Sequence, residues 1–240
     1  MQTAPTSRAH TVQDIFTRIA SRYDLMNRLM TAGQDRAWRA EVIRRACLGP
    51  GARLLDLGAG TGDLSFEALR QQPACRPLAA DFTLAMMRAG IGRAGGQKLA
   101  WNAADALRLP FPANSFDALV SGFLLRNVTD LELALREQFR VLKPGGRWAA
   151  LDTTRPGRGP LAPFVSLHLH AVIPALGRLL TGQADAYTYL PDSTEQFLKA
   201  EELAGRLVEA GFTDVGFRRR MAGTIAIHWA QKPLIPYNSR

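Results

Sequence analysis

The hydrophobic positions near the amino terminus recur with the period of a helix. Within two stretches, apolar residues stand three or four positions apart: Val12, Ile15, Phe16, Ile19, Leu25, Leu29 and Met30. Gly33 then interrupts the pattern, as glycine commonly does where a helix ends. The pattern predicts a helical cap over residues 12–46.

From residue 53 onward, short apolar runs alternate with amphipathic stretches. The run RLLDL is typical of a buried strand and leads through a glycine-rich turn into a predicted helix. Further strands are predicted at four places: 77–81, 99–102, 116–123 and 147–152. A helix is predicted over 131–142, and PGG at 144–146 predicts a tight turn. The alternation predicts an α/β fold with an open, mainly parallel sheet and helices on both faces.

The alternation stops at residue 156. Five prolines interrupt the apolar stretch that follows: Pro156, Pro160, Pro163, Pro174 and Pro191. We interpret residues 156–198 as an inserted helical lid within a single domain that spans 1–240. Beyond the lid, the pattern predicts a helix at 201–210 and two strands, 212–217 and 224–229, that form a hairpin at the edge of the sheet.

Composition and charge limit the classes of function. Hydrophobic residues make up 47% of the 240 residues, which excludes a disordered or fibrous chain. The formal net charge of +9 suits nucleic acid, anionic lipid or an acidic small molecule as a partner. The basic residues are scattered, and their only run of three, at 218–220, is not interleaved with aromatic residues. We therefore expect no nucleic-acid partner.

Cysteine usage and the lack of long apolar runs bear on the compartment. Cys47 and Cys75 lie far apart, with no neighbouring cysteine or histidine that would form a metal site, so we expect no metal and a reducing environment. Residues 1–10 are polar, and no stretch reaches the roughly 20 apolar residues of a membrane span. We expect a cytoplasmic protein, with peripheral contact to the inner face of the membrane as a finer expectation.

The segment DLGAGTG at 56–62 is the strongest chemical signal from spacing alone. Gly58, Gly60 and Gly62 stand where a strand ends and a helix begins, so the backbone can turn sharply and leave room and N–H groups for a ligand. A plain strand-to-helix turn is the alternative interpretation. Asp81 follows about 20 residues later at a strand end, where a carboxylate can accept both hydroxyls of a ribose. The pattern predicts a nucleoside-type cofactor.

The glycine spacing separates two classes of nucleoside cofactor. Dinucleotide-dependent dehydrogenases space their glycines G-x-G-x-x-G, whereas here the glycines alternate and Asp56 precedes them. That arrangement is typical of S-adenosylmethionine-dependent methyltransferases. Asp105, after the third predicted strand, is positioned for the adenine. The sulfonium of S-adenosylmethionine is positively charged, so acidic residues around it would attract it.

Six longer segments carry a pattern that covers nearly the whole chain: VQDIFTRIASRYDLMNRLMTAGQDRAWR, LLDLGAGTGDL, LPFPANSFDALVSGFLLRNV, ALREQFRVLKPGG, AYTYLPDS and GTIAIHWAQKP. Of their motifs, YDLMN, LRNV and YTYLP are the most specific, since LPFP and LKPGG occur in many methyltransferases. Together the segments resemble the ubiquinone and menaquinone biosynthesis C-methyltransferases. These methylate a ring carbon of demethylmenaquinol or of a polyprenyl-methoxybenzoquinol.

The resemblance implies a Rossmann-like class I methyltransferase fold and S-adenosylmethionine as the cofactor. By the resemblance, five residues contact the cofactor: Thr61, Asp81, Asp105, Ala106 and Gly122. With Asp56, Gly58 and Gly60 of the loop, they make up the expected cofactor site. Position 122 often carries Ser in the family, and here Ser121 stands beside it.

Three departures from the family pattern bear on the substrate. Leu124 replaces a small glycine before LRNV, DTTRP at 152–156 stands where Glu-Phe-Ser-Lys/Arg-Pro is usual, and Leu198 replaces a proline. These positions concern the shape of the substrate pocket and the identity of the quinol, whereas the fold and the cofactor do not depend on them.

C-methylation of a quinol needs an electron-rich ring carbon in line with the cofactor methyl, and ionisation of the adjacent hydroxyl supplies that electron density. We hypothesise that Arg126 stabilises the developing phenolate and orders a water that removes the proton, while Asn127 orients the ring. The alternatives are a salt bridge for Arg126 and a helix cap for Asn127.

Other polar residues are weaker candidates. His228, expected in an edge strand, could act as a general base, although such a histidine is more often simply hydrogen-bonded. His168 and His170 in the predicted lid rank below it. Tyr23 and its neighbour Asp24 are expected to close over the site, where Tyr23 would touch the substrate, and Asp152 is a further pocket candidate. The lid is expected to shelter an isoprenoid tail.

These observations converge on methyl transfer from S-adenosylmethionine to a prenylated quinol. The rival interpretations are the same fold acting on another hydrophobic acceptor, a dehydrogenase, and a non-enzymatic basic module that binds RNA or membrane. Expected partners are the prenylated quinol, a membrane surface, and a second copy of the chain or other enzymes of quinone biosynthesis.

Overall fold

The computed structural model describes residues 5–20, 22–155, 171–172 and 193–234. The helices in these ranges are α1 (Pro5–Ile19), α2 (Tyr23–Met30), α3 (Asp35–Ala46), α4 (Asp63–Gln71), α5 (Leu84–Ile91), α6 (Leu131–Val141) and α7 (Ala200–Glu209). The strands are β1 (Arg53–Leu57), β2 (Arg76–Asp81), β3 (Ala100–Ala103), β4 (Phe116–Gly122), β5 (Leu142–Thr153), β6 (Thr213–Arg220) and β7 (Ile225–Gln231). Most of the expected lid, with His168 and His170, lies outside the described residues.

Seven strands form one sheet in the order β3-β2-β1-β4-β5-β7-β6. Strands β1 to β5 are parallel, and β7 is antiparallel to both of its neighbours. The direction of winding reverses between β1 and β4, and a crevice opens beyond the carboxyl ends of the strands at such a point. The mainly parallel sheet expected from the sequence is therefore confirmed.

The expected hairpin at the sheet edge is confirmed, with β6 as the edge strand, but the edge position expected for His228 is wrong. Strand β7 lies inside the sheet between β5 and β6, so His228 is not in an edge strand: it pairs with Ala150 on one side and Phe217 on the other. The amino-acid composition of β6 and β7 explains which of the two strands lies at the edge. The near-continuous apolar run IAIHWA is almost fully buried, as in interior strands, whereas β6 ends in three arginines that suit an edge.

The tight turn expected at 144–146 is a bulge within β5. Phe116 pairs with Leu142 and Ala118 pairs with Arg147, so the intervening residues are accommodated without breaking the strand. Gly145 has φ +78° and donates its N–H to the Lys232 carbonyl at 2.9 Å. The glycine is required by this backbone conformation, which other residues rarely adopt.

Hydrophobic clusters cover the two faces of the sheet. One joins Trp148 and Phe116 of the sheet to α6 and α7, and the indole of Trp148 donates to the Gln138 side chain at 2.7 Å. The other is formed with α3 and α4 and includes Trp38 and Val42. Helix α3 was expected to belong to the cap, but its apolar positions pack on the sheet, which leaves α1 and α2 at the crevice.

The run of three arginines in β6 is engaged in ion pairs. Side chains alternate along a strand, so Arg218 and Arg220 reach Glu41 of α3 on one face, while Arg219 reaches Glu201 of α7 on the other. The run that contributes to the basic charge therefore ties the edge strand to helices on both faces.

Candidate active site

The glycine loop between β1 and α4 forms the floor of a cleft. Gly58 and Gly60 have φ +68° and +58°, and a Cβ atom on Gly58 would lie 2.9 Å from Cδ1 of Leu124. A side chain at either position would thus be strained and would fill the cleft. The N–H groups of Gly58 and Ala59 donate to the Ala80 carbonyl. The N–H of Gly60 is also bonded, to Asp81, so these three N–H groups are engaged within the protein and the glycines contribute space.

The cleft runs along the carboxyl ends of β1, β2 and β4, beneath α1 and α2. Six of the eight expected cofactor residues line it: Gly58, Gly60, Asp81, Asp105, Ala106 and Gly122. Tyr23 and Asn127, expected on the substrate side, line the same cleft. Asp56 and Thr61 belong to the loop but are not in its wall.

Asp81 fixes the loop and faces the cleft. Its Oδ2 accepts the Gly60 N–H at 2.7 Å, and its Oδ1 accepts the Thr83 N–H at 2.7 Å. The residue is only 8% exposed, and burial raises the pKa of its carboxyl although these hydrogen bonds act in the opposite direction. An acceptor held in this way is suited to the hydroxyls of a ribose.

Asp56 lies behind the loop and is completely buried. Its Oδ2 accepts the N–H of Ser65 at 2.9 Å and the Ser65 hydroxyl at 2.7 Å, which joins the end of β1 to the start of α4. Burial raises the pKa of Asp56 to about 7, and the nearby carboxylates of Asp81 and Asp63 act in the same direction. Its charge is therefore close to a titration point at neutral pH.

The remaining expected cofactor residues follow β3 and β4. Oδ1 of Asp105 accepts the Leu107 N–H at 2.9 Å, which shapes the loop after β3 beside the buried Ala106. Gly122 lines the cleft, but Ser121 is fully buried and is not in its wall. Neighbouring residues of a strand point to opposite faces, so Ser121 does not bring its hydroxyl to the cleft.

Thr61 belongs to a polar network that ties the amino-terminal helices to the loop. Its hydroxyl donates to Oδ1 of Asp24 at 2.7 Å, and the Arg93 guanidinium contacts the Thr61 hydroxyl and carbonyl as well as Asp63. Arg39 of α3 lies 3.3 Å from the other oxygen of Asp63. We call Asp24, Thr61, Arg93 and Asp63 the latch, since they connect α2 to the cleft floor.

Tyr23 extends from α2 into the cleft. Its ring packs edge-on against Phe16 with centroids 5.8 Å apart and lies beside Gly60. Burial raises the pKa of the Tyr23 phenol, while a hydrogen bond with Asn27 and the positive charges of Arg126 and Arg39 lower it. The phenol is therefore a neutral donor at pH 7 that lies within the electrostatic reach of Arg126.

Arg126 and Asp152 form a buried ion pair behind the cleft. Nη1 of Arg126 lies 2.7 Å from Oδ1 of Asp152, and the two side chains are 3% and 2% exposed. Oδ2 of Asp152 accepts the Leu125 N–H at 2.8 Å, so the carboxylate also holds the 3-10 turn Leu125–Asn127. Arg126 therefore forms the salt bridge that was the alternative to its catalytic role. Asp152 positions Arg126 and does not line the cleft.

Asn127 does not cap the following helix. Asp130 is the cap of α6, because its side chain accepts the Leu133 N–H at 2.8 Å. The Asn127 amide donates to the Phe123 carbonyl at 2.9 Å, and the residue lines the cleft. Asn127 therefore lies in the wall of the cleft and is held there by the turn that follows β4.

His228 lies away from the cleft. Its Nε2 is 2.9 Å from the Ala200 carbonyl at the start of α7, and the ring stacks near Phe217. Burial lowers the pKa of His228, although the hydrogen bond to Ala200 and the charge of Asp152 act in the opposite direction. This expected base therefore does not line the cleft, although it lies within electrostatic reach of Asp152.

Some residues of the cleft were not singled out from the sequence as site residues. Val12 and Phe16 of α1 line the cleft, as do Thr83 and Met86 at the start of α5. The apolar members look like ordinary core positions in a helical pattern, so periodicity alone could not distinguish them. Arg93 of the latch lies in a stretch without a motif, and only the fold brings it to Asp24 and Asp63.

Nearly the whole chain matches a known family. The model of the ubiE/COQ5 methyltransferase family matches residues 3–232. The chain belongs to the ubiE/COQ5 methyltransferase family. A relative named ubiquinone/menaquinone biosynthesis C-methyltransferase UbiE, from Desulfotalea psychrophila, is 44% identical over 94% of this chain and 92% of its own length. A demethylmenaquinone methyltransferase from Roseiflexus castenholzii is 44% identical over 93% of this chain and 94% of its own length.

Solved structures with low sequence identity share the fold of this ubiE/COQ5 family member. The cyclase SpnF aligns with a TM-score of 0.69 at 19% identity, over 98% of this chain and 99% of its own. A SAM-dependent methyltransferase from Thermotoga maritima aligns with a TM-score of 0.63 at 19% identity, over 91% of this chain and 98% of its own. The Rossmann-like methyltransferase fold expected from the sequence is confirmed.

Family membership also confirms a methyltransferase activity with S-adenosylmethionine as the cofactor. The site fits this cofactor on two observations. A Cβ on Gly60 would lie 3.2 Å from Cε of Met86, so the floor is kept open by the missing side chain. Asp81 presents a buried carboxylate at the same wall, where the hydroxyls of the ribose would be bound.

Proposed function

We propose that this ubiE/COQ5 family member methylates a ring carbon of a prenylated quinol, with demethylmenaquinol as the foremost substrate and a polyprenyl-methoxybenzoquinol as the second. The names of the relatives support this substrate class, and they do not favour another hydrophobic acceptor. The observation that carries the proposal is that one cleft is lined both by Asp81 and by Tyr23 and Asn127.

The cofactor residues have separate tasks in this proposal. Asp81 accepts the hydroxyls of the ribose, and the loop after β3, with Asp105 and Ala106, lies along the adenine. Gly58 and Gly60 leave the space in which the cofactor lies. Asp56 and Thr61 act from behind the wall by holding the loop, through Ser65 and Asp24 respectively. When bound, S-adenosylmethionine supplies an electrophilic methyl group.

The substrate side activates the ring hydroxyl. The charge of Arg126 lowers the pKa of the Tyr23 phenol, and the same field would lower the pKa of a substrate hydroxyl bound beside Tyr23. A bound water takes the proton of that hydroxyl, and the resulting phenolate raises the electron density of the adjacent ring carbon. After methylation, this carbon loses its own proton to solvent, which restores the aromatic ring. Asn127 and Tyr23 touch and orient the ring, whereas Asp152 holds Arg126 in place. His228 has a structural role in this proposal, because its ring is bonded to α7.

The proposal also covers the location, the domain organisation and the assembly of the protein. A lipophilic substrate and a net charge of +9 favour a cytoplasmic protein that works at the membrane surface. Within the described ranges, no helix is long and apolar enough to cross a bilayer. We propose that the chain forms one domain, since strands from residue 53 to residue 231 share one sheet. A homodimer, or a complex with other enzymes of quinone biosynthesis, is the proposed assembly, and sedimentation would test it.

The experiment is detection of methyl transfer by mass spectrometry, with chemically reduced short-tailed demethylmenaquinol and benzoquinol analogues as acceptors. We expect a product heavier by one methyl group from the wild type, lost in Arg126→Ala and Asp81→Ala. The matched control is Arg70→Ala, which removes an exposed arginine from a surface ion pair with Glu67 and should retain activity. Cofactor binding without methylation of either quinol would contradict the substrate assignment.

A further inference from the structure

Helix α2 presents apolar side chains to solvent as well as to the protein interior. Met26 and Asn27 are buried against the body of the protein, while Leu25 and Leu29, four residues apart on the opposite face, are 52% and 43% exposed. Single exposed leucines are common on protein surfaces. Two on one face of an eight-residue helix form a continuous apolar strip, which we call the α2 strip.

Basic residues predominate near the α2 strip. Arg28, three residues after Leu25, is exposed on the same helix, and Arg18 at the end of α1 and Arg36 in α3 are exposed and close to α2 in sequence. Of the acidic residues in this region, Asp24 is bonded to Thr61 and Asp35 is buried against Arg39, while Asp14 of α1 is exposed. Exposed apolar side chains in a region where exposed arginines outnumber exposed carboxylates match an anionic lipid surface, where leucines enter the acyl boundary and arginines meet phosphates.

The position of the strip relates it to the cleft. Tyr23 and Asp24, on the inner side of the same helix, reach the cleft and its floor. Phe82 and Leu84 follow β2 at the same end of the sheet; Phe82 lines the cleft, and the two side chains are 45% and 50% exposed. A surface that binds α2 would therefore lie beside the opening through which a lipophilic quinol must enter.

We propose that the outer face of α2, with Leu25, Arg28 and Leu29, docks the protein on an anionic membrane surface and brings the cleft to the lipid-dissolved substrate. The inference rests on the proposed function for its substrate, but the docking itself does not require catalysis. Binding combines insertion of two leucines with attraction between arginines and anionic headgroups, so it should weaken with salt and in uncharged lipid.

The test is co-sedimentation of the full chain with vesicles that contain phosphatidylglycerol, compared with vesicles of phosphatidylcholine alone. We expect the double variant Leu25→Ser with Leu29→Ser to bind anionic vesicles about tenfold more weakly. Arg28→Gln should weaken binding about fivefold. Val208→Ser, which alters a 60% exposed residue on α7, is the matched apolar control and should bind like the wild type.

Two outcomes would overturn the docking proposal. One is a wild type that does not bind anionic vesicles, and the other is a double variant that binds as tightly as Val208→Ser. If the double variant instead loses self-association while vesicle binding is unchanged, the strip is an interface between copies of the chain. Methylation of a water-soluble short-tailed quinol, measured without vesicles, should be equal in the wild type and the double variant. If neither the wild type nor the double variant methylates this quinol, the result contradicts the proposed function and leaves the docking proposal unaffected.

Discussion

The residues that line the cleft form two groups that are built in different ways, and we call them the cofactor end and the substrate end. The cofactor end consists of backbone and short side chains at or soon after the ends of strands, such as Gly58, Gly60 and Asp81. The substrate end joins Tyr23 of α2 and Asn127 of the turn after β4, with a buried ion pair to β5 behind them. The first depends on local backbone geometry, whereas the second depends on how distant elements pack together. We therefore expect that changes at the two ends affect different measured quantities.

The largest expected effect is at the substrate end. Arg126→Ala leaves the Asp152 carboxylate buried without its cation, so we expect a loss of about 3–5 kcal/mol in the free energy of unfolding. We also expect kcat to fall more than about a hundredfold, with the Kd for S-adenosylmethionine unchanged. Chemical denaturation, turnover assays and calorimetry measure these quantities.

A second variant separates stability from catalysis in this ion pair. Arg126→Gln combined with Asp152→Asn removes both charges and should recover most of the stability without recovering kcat. The matched comparison is Lys143→Ala, which breaks a half-exposed pair with Asp117 and should cost about 1 kcal/mol or less. Full activity in the Arg126→Gln, Asp152→Asn double variant would show that the charge of Arg126 has no part in catalysis.

At the cofactor end, the next effect depends on pH. Asp56 has a pKa of about 7 in the folded protein, above its ordinary unfolded value near 4. Its contribution to stability is therefore complete below about pH 4 and is lost as pH rises through about 7, up to about 4 kcal/mol in all. Asp56→Asn cannot titrate, so the wild type should lose stability relative to this variant between pH 5 and pH 8. Equal pH profiles of denaturation would contradict a buried, titrating Asp56.

Asp81 should control affinity rather than turnover. Asp81→Ala removes an acceptor for the ribose and releases the Gly60 N–H, so we expect the Kd for S-adenosylmethionine to rise about a hundredfold or more. With saturating cofactor, kcat should change far less than it does in Arg126→Ala. Asp81→Asn keeps one acceptor oxygen and should fall between the wild type and alanine. A kcat loss at unchanged affinity would break the distinction between the two ends.

The latch links the two ends and should give the smallest effect. Asp24→Asn weakens the contacts with the Thr61 hydroxyl and with Arg93, which are worth about 1 kcal/mol in total. We expect the dissociation rate of S-adenosylmethionine to rise about fivefold in stopped-flow experiments, because α2 covers the cleft less firmly. Asp14→Asn, on the exposed side of α1, is the control. An unchanged rate would show that the latch does not limit release.

The sequence predicted many of the residues that the structure brings to the cleft: six of the eight candidate cofactor residues, and Tyr23 and Asn127 of the substrate candidates. Their roles in binding stay predictions. Strands were correctly expected before Gly58, Asp81 and Gly122, because short apolar runs with terminal turn residues are local signals. The edge position expected for His228 was wrong, since strand order depends on which edges pair after folding. The substrate roles of Arg126, Asn127 and Tyr23 came from the family resemblance and stay predictions.

The local sequence pattern was enough to predict the alternation of strands and helices, the glycine loop and the carboxylate at the end of β2. Each of these features depends on residues that are close in sequence. Tertiary structure decided that Arg126 faces Asp152 and not the cleft wall, and that Asp24 bonds Thr61 across 37 positions. It also decided that the arginine run of β6 pairs with Glu41 and Glu201. These contacts join residues whose separation in sequence carries no periodic signal, so only the packing of the helices on the sheet brings them within reach.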